Sequence, residues 1–146
     1  MSITDRTDSS QSEALAFEFD LPHAPAKVWR ALTEPALLSE WLLPVINHKL
    51  EAGAQFTFTA PPQPGWDGIV NCQFIAIEHE KALSWTWVVG DIDTVVRFDL
   101  SPTETGTRVM LVQSGFKSDQ KRNFGGARYG WNMMGGKLLQ VLEALA

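Results

Sequence analysis

The chain has few of the residues that mark several common classes of protein. Its 146 residues include one cysteine, Cys72, which excludes an intrachain disulfide and every zinc site built on several cysteines. Lysine and arginine number 12 against 17 aspartates and glutamates, and this net charge of −5 argues against a surface that binds nucleic-acid phosphates. No apolar run reaches the roughly 18 residues that a membrane span needs.

The composition is that of one globular domain rich in tryptophan. Hydrophobic residues make up 45% of the chain, and six of them are tryptophans, enough for a full core in a domain of this size. Residues 1–12 are polar and lack the apolar region of a signal peptide. We therefore expect a disordered tail over 1–12, a single domain over 13–146, and a cytoplasmic location.

Hydrophobic periodicity predicts an α+β fold. Residues 14–21 alternate as a half-buried strand does, and two short helices follow, of which Pro25 begins the first. Residues 45–115 contain about six short strands separated by turns, the first over Val45–Leu50, which favours sequential antiparallel pairing. A helix of about twenty residues is predicted from near Asn123 to Leu145, and we expect the curved sheet to wrap around it.

The predicted C-terminal helix contains an unusual number of glycines. Each glycine costs about 1 kcal/mol relative to alanine in a helix interior. We expect the helix to gain from them a close approach of its backbone to the sheet, or free space beside it. The glycines are Gly125, Gly126, Gly130, Gly135 and Gly136.

Several segments, taken in order, resemble the AHSA-type domain, a family named for homologues of an activator of a heat-shock-protein ATPase. The segment PAKVWRALTEPALLSEWLLP resembles its opening, and Leu83–Trp87 its middle motif. Gly106–Val109 with Ser114–Phe116 resembles its late strand, and Gly130-Trp131 its final helix. The resemblance implies the helix-grip fold of the SRPBCC, START-related superfamily, which often encloses an apolar cavity between sheet and helix. With 146 residues we expect no room for the separate N-terminal domain of the eukaryotic chaperone activators, which argues against a chaperone partner.

The candidate site follows from the face that each residue occupies. An aromatic wall with few polar groups suits a flat or lipid-like ligand, although the same rings could simply fill the core. Gln113 lies on the apolar face of its strand and could bind a ligand or neighbouring backbone. Arg128 could meet an anionic head group, or extend to solvent and pair with a surface carboxylate. The predicted ligand-binding residues are Phe56, Phe58, Trp85, Trp87, Phe98, Gln113, Arg128, Trp131 and Met134.

Three functions remain open. The first is a binding protein for a small apolar or aromatic molecule. The second is an enzyme of the cyclase or hydratase kind; it is less favoured because Glu18 and Glu78, the available carboxylates, are predicted to point outward. The third is a module for homodimerisation or for interaction with a chaperone, which a mostly polar outer sheet face disfavours.

Other candidates for chemistry are weak. His23, His48 and His79 are scattered without metal-ligand spacing, so we expect no metal, no cofactor and no catalytic residue. Cys72 lies in the middle of a predicted strand, and we expect it to be a structural thiol. Trp66, in a proline-rich loop, could cover a cavity mouth, anchor its loop or contact a second copy.

Overall fold

The computed structural model describes residues 2–7, 13–62, 64 and 66–145 of the chain. These residues form eight strands and three helices, and from β2 onward the elements follow the predicted order. The strands are β1 (Ser2–Asp5), β2 (Ala14–Leu21), β3 (Val45–Ile46), β4 (Gln55–Thr59), β5 (Ile69–Glu78), β6 (Ala82–Val89), β7 (Ile92–Pro102) and β8 (Thr107–Ser114). The helices are α1 (Pro25–Thr33), α2 (Pro35–Trp41) and α3 (Lys121–Ala144).

The strands form one open, curved antiparallel sheet in the order β1-β2-β8-β7-β6-β5-β4-β3. Strand β2 buries every second residue from Leu15 to Leu21, and β8 does the same from Thr107 to Gln113. The alternation gives the sheet one face toward the core. Helix α3 packs against that face, and the predicted helix-grip fold is confirmed.

The two short helices contact each other and both contribute buried residues to the core. A proline begins each helix, where its missing N–H costs no hydrogen bond. The indole N–H of Trp41 in α2 donates to the carbonyl of Ala31 in α1 at 2.8 Å, which fixes one helix against the other.

Strand β1 corrects the expectation of a disordered tail. Its four residues pair with β2, and the backbone N–H of Arg6 donates to the carbonyl of Ala16 at 2.7 Å. Because β1 lies at the edge of the sheet, most of its side chains can stay polar and in contact with solvent. Ile3 is its one apolar residue that packs against the core. Residues 8–12 of the predicted tail lie outside the described residues.

Strand β3 is shorter than the predicted Val45–Leu50. It ends at Ile46 because Asn47 has a φ of 58°, a left-handed conformation that interrupts an extended strand. The long helix also begins two residues earlier than predicted, at Lys121. None of the helices in the described part of the chain is long and apolar enough to cross a membrane.

Candidate ligand-binding site

A cavity of about 930 Å³ lies between α3 and one end of the sheet and is open to solvent. It sits beside the turn between β6 and β7, where the inward side chains Trp87 and Val89 are only partly buried. The sheet and its turns contribute Val70, Trp87, Val89, Gly90, Asp91, Ile92, Gln113 and Phe116. The loop between β4 and β5 contributes Pro64, Trp66 and Asp67, and α3 contributes Asn123, Gly126, Ala127, Gly130 and Met134.

The glycines of α3 create the space on the helix side. Gly126 and Gly130 are one turn apart, and both line the cavity. A Cβ atom added at Gly126 would meet nothing within 4 Å, and one at Gly130 would meet only the mobile end of Met134, at 3.2 Å. Larger side chains on this helix face would occupy the cavity.

Gly135 lets the same helix approach the sheet. A Cβ atom there would lie 3.0 Å from Cδ1 of Ile3 and 3.1 Å from Cε1 of Phe19. The glycines therefore serve both predicted purposes, at different points along α3.

The loop before β5 forms the mouth of the cavity. The indole N–H of Trp66 donates to the carbonyl of Ile69 at 3.0 Å, and Oδ1 of Asp67 accepts from the backbone N–H of Ile69 at 3.0 Å. Gly68 has a φ of +83°, and a Cβ there would lie 2.1 Å from the carbonyl oxygen of Ala60. Only glycine fits this turn, which holds the half-buried Trp66 at the cavity mouth.

A chain of buried hydrogen bonds holds Gln113, one of the residues that line the cavity. The indole N–H of Trp131 donates to Oε1 of Gln113 at 2.8 Å, and Nε2 of Gln113 donates to Oγ1 of Thr94 at 3.0 Å. Thr94 in turn donates to the carbonyl of Trp87 at 2.8 Å. A glutamine amide has two N–H donors and two acceptor lone pairs. These two bonds use one N–H donor and one lone pair of the Gln113 amide.

The aromatic wall predicted from strand alternation is mostly solid core. Phe56 and Phe74 stack with centroids 4.5 Å apart, and the ring of Trp85 lies 5.8 Å from Phe56 and 5.3 Å from Phe98. These rings fill the space between sheet and helices. Of the predicted residues, five do not line the cavity: Phe56, Phe58, Trp85, Phe98 and Trp131.

Trp87, Gln113 and Met134 do line the cavity, as expected of ligand-binding residues. Trp131 lies behind two of them, since its ring is 6.0 Å from that of Trp87 and its N–H binds Gln113. The role of these side chains toward a ligand stays a prediction.

Arg128 is not part of the cavity wall. Its Nε donates to Oδ2 of Asp5 in β1. This ion pair links the edge strand to α3, and the contact of Arg128 with an anionic head group stays a prediction. The pairing with Asp5 matches the alternative reading of an arginine paired with a surface carboxylate.

The remaining titratable candidates lie away from the cavity. Burial raises the pKa of the Cys72 thiol to about 12, which suppresses the reactive thiolate. Glu18 lies on the outer side of β2, within 3.3 Å of Arg6. Among the described residues, no group of three or more His, Cys, Asp or Glu side chains could hold a metal ion.

Sequence reasoning missed several cavity residues. Asp67 and Asp91 flank the mouth, and Val89 and Ile92 line the wall beside the turn. Alternation marked Val89 as inward, but nothing in the sequence showed that the core stops short of this end of the sheet. Thr94, the second partner of Gln113, shares the inward parity of Val96 and could have been found from it.

A second, smaller depression of about 410 Å³ lies on the outer face of the sheet. It is bordered mainly by outward polar side chains of β4, β5 and β6, including Asn71, Gln73 and Thr86. A polar, outward-facing depression is less suited to an apolar ligand than the space beside α3.

Comparisons with known proteins agree with this architecture. The sequence model of the family described as Activator of Hsp90 ATPase homolog 1-like protein matches residues 22–143. The crystal structure of MLL2253 from Mesorhizobium loti is similar, with 39% identity, a TM-score of 0.85, and coverage of 91% of this chain and 98% of that one. A search of curated proteins gave no significant match.

Two more distant structures show the same fold. Ms6760 from Mycobacterium smegmatis has 15% identity and a TM-score of 0.83, covering 99% of both chains. CalU16 from Micromonospora echinospora has 19% identity and a TM-score of 0.74, covering 98% of this chain and 85% of that one.

Proposed function

We propose that this chain, which belongs to the Activator of Hsp90 ATPase homolog 1-like family, is a binding protein that holds a small apolar or aromatic molecule between the sheet and α3. The observation that carries the proposal is the cavity of about 930 Å³ that Gly126 and Gly130 of α3 line. Its size is within the usual range for small-molecule sites.

The chemistry of the wall supports an aromatic ligand. Trp66, Trp87 and Met134 provide apolar surface with rings on the strand and loop sides. Gln113 is 2% exposed and adds a directional polar contact. A mostly apolar wall with a buried amide at Gln113 suits a flat molecule that carries a carbonyl or N–H group.

Binding is favoured over catalysis by the position of the titratable groups. Asp67 and Asp91, the only titratable side chains in the cavity wall among the described residues, are both exposed at the mouth. A general acid or base acts best when it is placed within hydrogen-bond reach of the reacting group and its pKa is tuned by burial. The cyclase-like, chaperone-binding and homodimer readings, and the cytoplasmic location, remain predictions from the sequence.

Filling the cavity from the helix tests the proposal. Gly126→Leu places a side chain in the cavity, whereas Gly125→Leu adds the same side chain at a neighbouring position outside its wall, where a Cβ also meets nothing within 4 Å. Both changes raise helix propensity, so they are matched in that respect. The probes are flavone and acridone, two neutral flat aromatic molecules with one carbonyl.

Binding is followed by NMR of the indole N–H groups. We expect saturable shifts of the Trp66 and Trp87 signals but not of Trp41, whose N–H donates to the carbonyl of Ala31 between α2 and α1. Gly126→Leu should abolish the shifts, and Gly125→Leu should retain them. Shifts that persist in Gly126→Leu, or no saturable shift in the unmodified chain, would exclude this cavity as the site.

A further inference from the structure

We infer that the cavity discriminates ligands by charge and selects flat aromatic cations over aromatic anions. The inference rests on the proposed function and names the ligand class of the same site. Its basis is the sign of every charged side chain at the cavity, taken together with the indole rings beside them.

The charges at the mouth are negative. Asp67 lies on the loop side of the cavity and Asp91 on the turn between β6 and β7, and no lysine or arginine lines the wall among the described residues. A cation that enters the cavity therefore approaches two carboxylates, and an anion is repelled by both.

The basic residues of α3 lie outside the cavity wall. Arg128 is engaged with Asp5 in β1. Lys121 and Arg122, in the first turn of α3, are exposed and lie outside the cavity wall. The helix N-terminus carries a partial charge of roughly +0.5, which is smaller than the two full charges of the carboxylates.

The indole rings strengthen the preference for a cation. Trp66 and Trp87 both line the cavity, and tryptophan is the side chain that attracts a cation most strongly through its ring face. An aromatic cation can stack on these rings and keep its charge toward the carboxylates. A ring N–H of such a ligand can donate to Gln113, which also lines the cavity.

Three tricyclic probes of similar size and different charge test the inference. They are 9-aminoacridine, a cation at neutral pH, acridone, which is neutral, and acridine-9-carboxylate, an anion. Dissociation constants come from the same indole NMR titration at low salt. We expect the cation to bind about tenfold tighter than the anion, with acridone between them, since each rim charge contributes a modest amount.

Charge removal identifies the carboxylates responsible. In Asp67→Asn the amide oxygen can still accept the N–H of Ile69, so the loop should keep its fold. The double variant Asp67→Asn/Asp91→Asn should lower the affinity for the cation about fivefold relative to the affinity for acridone. Glu104→Gln is the matched control, because Glu104 is exposed in the turn at the far end of the 11-residue strand β7; it should change neither affinity.

Salt provides a test that needs no variant. Raising the ionic strength from about 0.02 M to about 0.5 M should lower the affinity for the cation and raise the affinity for the anion, because salt screens both interactions with the carboxylates. The charge preference would be refuted if the anion bound as tightly as the cation or more tightly, or if the affinity for the cation did not depend on salt. Binding of acridone would still support the proposed function in that case. If none of the three probes shifts Trp66 and Trp87, the proposed function fails as well.

Discussion

Truncating two buried indoles to phenyl rings should have unequal effects on stability, because only one of them makes a hydrogen bond. Trp131 is 2% exposed and donates to Gln113 at 2.8 Å. Trp85 is 0% exposed, and its N–H has no acceptor among the described residues. The variants Trp131→Phe and Trp85→Phe remove the same atoms from two buried positions, so the hydrogen bond is the main difference between them.

The magnitude follows from what each truncation leaves behind. Trp131→Phe leaves the buried oxygen of Gln113 without this donor, at a cost of about 1–3 kcal/mol. Trp85→Phe removes a donor whose desolvation is already unfavourable, so it recovers part of that cost. We expect Trp131→Phe to be about 2 kcal/mol more destabilising than Trp85→Phe, equivalent to roughly 4–8 °C in Tm for a domain of this size.

Urea unfolding followed by far-UV circular dichroism measures the difference, since this signal depends little on tryptophan emission. Adding Gln113→Leu to Trp131→Phe removes both partners, and the double variant should be more stable than the sum of the two single changes by about 1 kcal/mol or more. Equal destabilisation of Trp131→Phe and Trp85→Phe, together with additive effects in the double variant, would refute the assignment of this network.

Three further outcomes are expected. Gly136→Ala should stabilise the chain by up to about 1 kcal/mol in urea unfolding, because a Cβ there meets nothing within 4 Å. Gly135→Ala should stabilise it less, because the added Cβ is crowded by Ile3 and Phe19. An equal gain in both variants would contradict the close approach of α3 to the sheet at Gly135. Arg128→Gln should lower global stability by less than about 1 kcal/mol but speed amide hydrogen exchange in β1, because the half-exposed guanidinium holds Asp5; unchanged exchange would show that the ion pair does not hold the strand. Burial lowers the pKa of His48, so the unfolded chain binds a proton at this residue before the folded chain does, and stability declines as the pH falls below about 6.5. Urea unfolding at several pH values should show a shallower decline for His48→Phe. An identical pH profile would exclude a contribution of His48.

Much of the fold was predictable because its periodicities are regular. Strand β2 alternates without interruption, and Pro25 marks the start of α1 where the structure has it. The N-terminal strand was not predictable, because an edge strand with a single inward apolar residue has little pattern of its own. Its stability comes from pairing with β2 and from Arg128, which is 123 residues away from Asp5.

The candidate site was predictable only in part. Alternation assigns a residue to the inner face but does not say where along the strand the core ends. Trp85 and Trp87 therefore look alike in the sequence, yet Trp85 is enclosed by Phe56, Phe74 and Phe98 while Trp87 borders open space. The boundary is set by the ring packing of one cluster and by the small side chains of α3, which are long-range properties of the folded chain.

Intermolecular nuclear Overhauser effects from bound acridone would test the proposed binding site most directly. We predict contacts from the acridone ring protons to the methyl group of Met134 in α3 and to the ring of Trp87 in β6, which both line the cavity. Contacts to the methyl groups of Val88 instead would place the ligand in the outer depression of the sheet and would contradict binding between the sheet and α3.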